Sequence, residues 1–139
     1  MTGFGWRITA GLFIIGSTAA FAQESSIAPA LAAQIRAGGE IYAQNCANCH
    51  YDGAGNPAAP DLRGNVYWRG GPEPLLRLLL HGQGGVSVVN GQMPPMDYLT
   101  DEEMAAVTAY ALATFGGKPV EVSAGQAARL RAEKDAQSP

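Results

Sequence analysis

Cys46-Ala47-Asn48-Cys49-His50 gathers the chain's two cysteines and one of its two histidines into five residues. Four chemistries use thiols and an imidazole so placed. Two thiols three positions apart on a helical turn can each add to a haem vinyl group as thioethers, and the adjacent imidazole then reaches the iron. A closed zinc site needs four N, S or O ligands, and beyond this cluster the only cysteine or histidine left is His81. A thioredoxin-like redox pair needs a βαβ setting, whereas a helical pattern precedes this motif and no buried strand comes before it. A structural disulfide closing so short a loop adds little stability. Covalent haem is the chemistry the rest of the chain supports.

A second centre is Met93-Pro94-Pro95-Met96. Two prolines fix φ and remove two donors, so the segment is extended and stiff and can hold a thioether without regular secondary structure. Met93 directly precedes the pair and is pushed toward an extended backbone. Met96 follows the pair and competes for the same role. Met104 falls inside a helical pattern, where core packing accounts for it. His81 sits beside Gly82 at an expected helix end, where an imidazole caps carbonyls or faces solvent.

From about Arg36 to about Gly117 the chain resembles class I cytochrome c. Besides Cys46-Ala47-Asn48-Cys49-His50, the resemblance rests on Gly38 and Tyr42, eight and four residues before Cys46, on Pro60-Asp61-Leu62-x-Gly64, and on a methionine directly before proline. It implies an all-α fold, with three main helices wrapped around one covalent haem c and the N- and C-terminal helices crossing. It further implies His50 and Met93 as the two iron ligands. The Pro60 carbonyl is expected to accept the Nδ1–H of His50, which fixes the tautomer and makes Nε2 a better ligand. Tyr67, Trp68 and Arg69 are expected near the haem, either with a polar tip on a buried propionate or with Trp68 as a wall of the haem crevice and Arg69 as a solvated charge. A carrier so built passes single electrons between protein partners such as a dehydrogenase, reductase or oxidase. An alternative is an electron-accepting cytochrome subunit fixed to a periplasmic dehydrogenase or reductase. A haem enzyme or gas sensor is a further alternative, but no His or Arg is recognisable as an acid–base helper near the methionine loop.

Stepped helical spacing supplies the elements that must position these groups. Leu31, Ile35, Gly38, Tyr42 and Cys46 share one face of a helix expected from Ala30 to Asn45. A glycine inside a helix costs about 1 kcal/mol relative to alanine, and close approach of the C-terminal helix is the packing reason expected here. Pro74 suits the first turn of a leucine-rich helix ending at His81-Gly82. Thr100-Asp101-Glu102-Glu103 forms a capping box for a helix to about Phe115, with Met104, Val107, Tyr110, Ala111 and Phe115 as its apolar stripe. Tyr110 should cross near Gly38 and Tyr42. Between these two helices, Val86, Val88, Val89 and the turn pair Asn90-Gly91 suggest a short hairpin.

The 139 residues suit one domain. Arg7, the apolar run from Ile8 to Ala20 and the small-x-small Ala20-Phe21-Ala22 read as a secretory signal peptide over 1–22. The run is too short for a span, so no membrane span is expected in the mature chain, and the expected compartment is the periplasm. A flexible leader follows over 23–29, then the cytochrome domain over 30–117. Residues 118–139 form an extension in which Ser123 caps a short helix from Ala124 to Ala132, with Leu130 its main apolar group. The sequence alone favours a solvated, partly frayed tail there. Without Arg7 the chain keeps eight basic and twelve acidic side chains, net −4. An acidic chain with no basic cluster excludes nucleic acid as a partner.

Overall fold

The computed structural model describes Met1 and residues 28–57, 59–83 and 93–137. The expected signal peptide, most of the leader and the Asn90-Gly91 hairpin lie outside them. Pro29 occupies the first turn of α1 (Pro29–Asn45), where its missing N–H costs nothing. The chain then makes the single turn α2 (Ala47–His50), a 3₁₀ turn at Val66–Gly70, α3 (Pro72–His81), α4 (Asp101–Thr114) and α5 (Ala124–Gln137). Among the described residues there is no strand, only an isolated bridge between Asn56 and Ala59. The fold is all-α, with α1 and α4 as its principal helix pair.

Gly38 decides how closely those two helices cross. It is buried on α1, and a Cβ there would run into the carbonyl of Ala106 and stand 2.7 Å from the Tyr110 Cβ. The two backbones meet where only hydrogen fits. Tyr42, one turn on, packs its ring 5.3 Å from both Tyr110 and Phe115, and Trp68 joins at 6.4 Å from Phe115. This aromatic group ties α1, α4 and the 3₁₀ turn together.

The capping box opens α4 as its sequence requires: Glu103 N–H donates to the Thr100 hydroxyl, and Thr100 N–H donates to the Glu103 carboxylate at 2.8 Å. The apolar stripe expected on this helix is too narrow. Met104 to Ala109 are all buried, as are Ala111 and Leu112, because α1, α3 and α5 cover α4 on different sides. A helix that is apolar all round is a buried one.

α3 begins at Pro72, two residues earlier than the position expected from Pro74, and ends at His81 with Gly82 at φ 65°. Its leucines divide between two neighbours. Leu76 and Leu80 are fully buried, while Leu75, Leu78 and Leu79 face a cavity.

The tail also departs from its solvated reading. α5 runs five residues beyond the expected Ala132 and packs on α3 and α4, with Ala127 and Leu130 buried. Ser123 caps it together with Gln126, a second reciprocal box. Val122, directly before that cap, is buried and held by both ends of the Gln34 amide, at 2.6 and 3.2 Å.

Candidate functional site

The Cys-x-x-Cys-His segment forms one helical turn because α1 ends there. Cys46 N–H closes the last bond of α1 to the Tyr42 carbonyl at 2.8 Å, and the Cys46 carbonyl then accepts from Cys49 and His50 at 3.1 and 2.9 Å. Tyr51 leaves the turn at φ 50°, uncommon for a tyrosine, and the Tyr42 hydroxyl donates to its carbonyl at 3.0 Å. That hydroxyl is a dependable donor, since burial and then Cys46 push its pKa up to about 12.

Cys46, Cys49 and His50 form one wall of a cavity of about 480 Å³, lined largely by apolar groups. The volume is typical of a cofactor site. Tyr42, Trp68, Leu75, Leu79, Val107 and Ala111 make its interior, and the exposed Asn48, Cys49, Pro60 and Pro94 lie at its mouth. The two thiols are free. Burial, followed by the neighbouring Cys49, pushes Cys46 up to about 11, so its sulfur stays a thiol at neutral pH and is a poor candidate for thiolate redox chemistry. No group of three or more His, Cys, Asp or Glu side chains that could hold a metal ion forms among the described residues.

His50 Nδ1 lies 3.3 Å from the Pro60 carbonyl. A carbonyl only accepts, so Nδ1 carries the proton and Nε2 keeps its lone pair. Burial lowers the His50 pKa and that hydrogen bond raises it, with burial the larger effect, so the ring favours the neutral form a metal needs.

The methionine loop contributes to the lining of the same cavity. The Met93 carbonyl accepts from Gln83 N–H at 2.9 Å, and Met96 N–H donates to the Leu79 carbonyl at 2.6 Å, fastening the Pro-Pro segment to the end of α3. Gly82 makes this possible: a Cβ there would stand 2.5 Å from the Met93 carbonyl and 2.7 Å from the Pro95 nitrogen. Both Met93 and Met96 reach the cavity. Met96 is buried, and its sulfur lies 3.1 Å from the Tyr98 hydroxyl, which also stands 3.0 Å from Asn45 Oδ1. Met93 is only half-buried and has the less encumbered thioether.

The remaining expected residues fall in different places. Trp68 is a cavity wall, and its indole N–H donates to the Leu62 carbonyl at 2.5 Å, so it is not aimed at a propionate. Arg69 is exposed and does not line the cavity, and neither do the exposed His81 or the buried Met104. Asn65 and Tyr67 do line it; Tyr67 is one of the three residues expected there, and Asn65 carries no sequence signal for the site. Asn65 is placed by capping the 3₁₀ turn, with its side chain accepting from Tyr67 N–H at 3.1 Å.

Residues 33–110 match the family model described as cytochrome c oxidase, cbb3-type, subunit III. The chain belongs to this family of c-type cytochrome domains. It is also 32% identical, over 84 residues, to the cbb3-type cytochrome c oxidase subunit FixP of Sinorhizobium medicae (strain WSM419), an alignment covering 56% of this chain and 29% of that protein. The chain therefore spans well under half the length of this relative. The cytochrome is an electron carrier rather than a catalyst, and its cofactor is one covalently bound haem c, for which Cys46, Cys49 and His50 supply the attachment motif. The residues present fit that group: two free thiols, a tautomer-fixed imidazole and the thioethers of Met93 and Met96 all line one largely apolar cavity.

Proposed function

We propose that this cytochrome carries single electrons in the periplasm between redox proteins, with His50 and Met93 as its two iron ligands. The observation that carries the proposal is the convergence of the Cys46–His50 turn and the Met93–Met96 loop on the lining of one largely apolar cavity. Haem supplies a one-electron Fe(III)/Fe(II) couple, whose potential a thioether ligand raises relative to two histidines.

The chain's own groups do the rest. Cys46 and Cys49 tether the cofactor to the end of α1, and Pro60 holds the imidazole of His50 in the ligating tautomer. Trp68 and the α3 leucines exclude water, which disfavours reorganisation when charge changes. The exposed residues at the mouth leave an edge where a partner protein can approach. His50 and Met93 would both be committed to the iron, which would disfavour substrate binding there. The family description and the printed name of the FixP relative favour an oxidase as the partner class, with the cytochrome fixed to it as a subunit.

Two measurements on the exported holoprotein test this. Its intact mass should equal residues 23–139 plus one haem, and the ferrous protein should not bind carbon monoxide. Ready carbon monoxide binding by the native protein would instead indicate an open iron site and a haem enzyme or sensor. Co-purification with a terminal oxidase is expected for the subunit role, and isolation with a dehydrogenase alone would contradict the partner class.

A further inference from the structure

We propose that α5 clamps the methionine loop, with Arg131 and Lys134 as positioning residues for the iron's thioether ligand. This rests on the methionine ligation proposed above. The loop leaves the cavity at Met96 and enters α4 at Asp101, and over that stretch its regular backbone bonding is sparse, with Leu99 N–H to the Met96 carbonyl at 3.0 Å. Arg131 supplies what is missing. Its guanidinium donates to the carbonyls of Asp97 at 2.6 Å and Leu99 at 2.7 Å, and its Nε donates to the Asp101 carboxylate at 2.9 Å. One planar fork thus fixes three residues of a five-residue connection.

Lys134 closes the other side. Its ammonium bridges the Asp97 carboxylate at 2.6 Å and the Leu80 carbonyl at 2.8 Å. Three successive carbonyls at the end of α3 are therefore shared out: Leu78 to the helix's own cap at Gly82, Leu79 to Met96 N–H, and Leu80 to Lys134. The helix end that anchors the loop is itself anchored by α5.

A second set of ion pairs on α5 serves as an internal control. Arg129 pairs with Glu73 and Glu133, and Arg77 joins the same group, all without touching the loop. Arg131 and Lys134 side chains are 26% and 22% exposed, against 52% for Arg129, so the loop contacts are the better shielded.

The test is imidazole titration of the ferric holoprotein, carried out well below each variant's thermal midpoint. Arg131→Ala is expected to bind imidazole at least tenfold more tightly than the parent, with Lys134→Ala changed in the same direction and Arg131→Lys intermediate. Arg129→Ala is expected to keep the parent affinity even where its midpoint falls. Parent affinity in both Arg131→Ala and Arg131→Lys, or an equal gain in Arg129→Ala, would overturn the clamp. Should Met93→Ala and Met96→Ala both bind imidazole no better than the parent, methionine ligation fails and the clamp falls with it. A large gain in either, with none in Arg131→Ala or Arg131→Lys, refutes the clamp alone.

Discussion

His50 and Pro60 show how one backbone carbonyl sets the chemistry of a side chain: the 3.3 Å contact puts the proton on Nδ1, and Nε2 is left with the lone pair a metal ligand needs. At the same scale, Met93 and Met96 differ in sequence by which side of the Pro-Pro pair they take, and in space by burial: Met96 is buried with its sulfur 3.1 Å from the Tyr98 hydroxyl, whereas Met93 is half-buried. Thr108 offers a test of polar accounting. It is fully buried on α4, and its hydroxyl has no hydrogen-bond partner among the described residues. An unmet buried hydroxyl costs ~1–3 kcal/mol, and valine has nearly the same shape. Thr108→Val should therefore raise stability by about 1 kcal/mol in denaturant unfolding of the holoprotein. A loss of stability would show that the hydroxyl is satisfied in solution.

Among the elements, the α1–α4 crossing depends most on a single position. Because a Cβ on Gly38 meets the Ala106 carbonyl, Gly38→Val cannot be relieved by a rotamer change and should cost toward the upper end of the ~1–3 kcal/mol typical of overpacking. The thermal midpoint should fall by roughly 10 °C, and an unchanged midpoint would mean the helices do not cross there. For α5, docking should depend on pH. Arg77 and then Arg129 hold Glu73 below the usual carboxylate range, the same two arginines do so for Glu133, and Lys134 does so for Asp97. Their folded pKa values lie below the unfolded ones, about 4.3 for Glu and 3.9 for Asp, so the stabilisation is complete above those values and lost as pH falls through the lowered ones. Hydrogen exchange of α5 amides should accelerate below about pH 4 ahead of α4, and equal protection of α5 at pH 7 and pH 3 would contradict this.

For the whole molecule, the cavity of about 480 Å³ sets the balance between chain and cofactor. Its walls, among them Tyr42, Trp68, Leu75, Leu79, Val107 and Ala111, have no partner on that side without the cofactor, and each Å² of apolar surface that haem would cover contributes ~25 cal/mol. Blocking attachment with Cys46→Ala plus Cys49→Ala should therefore leave a chain without a cooperative thermal transition near that of the holoprotein, and retention of the holoprotein midpoint would show that the haem is not part of the core.

Much of this was legible beforehand where one local signal fixed one local outcome. The thiol–imidazole turn, the Thr100 capping box and the glycine stop at Gly82 each depend on a few adjacent residues, while the buried Gly38, which meets Ala106 and Tyr110, was legible only through the family resemblance. What escaped depends on distant pairs. Arg131 meets Asp97 and Leu99 from more than thirty positions away, and Gln34 holds Val122 from 88. Lacking those partners, α5 read as a solvated tail and α4 as a helix with one apolar face. Arg69 and Trp68 illustrate the same limit at the site: the sequence leaves open whether either meets a propionate, and the structure makes Trp68 a cavity wall while Arg69 lies outside the lining.

The central claim is that His50 and Met93 together close the iron to outside ligands. The most direct measurement is the weak near-infrared band of sulfur-bound ferric haem, recorded for the parent, Met93→Ala and Met96→Ala. The account predicts the band in the parent and in Met96→Ala, and its loss in Met93→Ala together with a fall in potential. Loss in Met96→Ala with retention in Met93→Ala would contradict it.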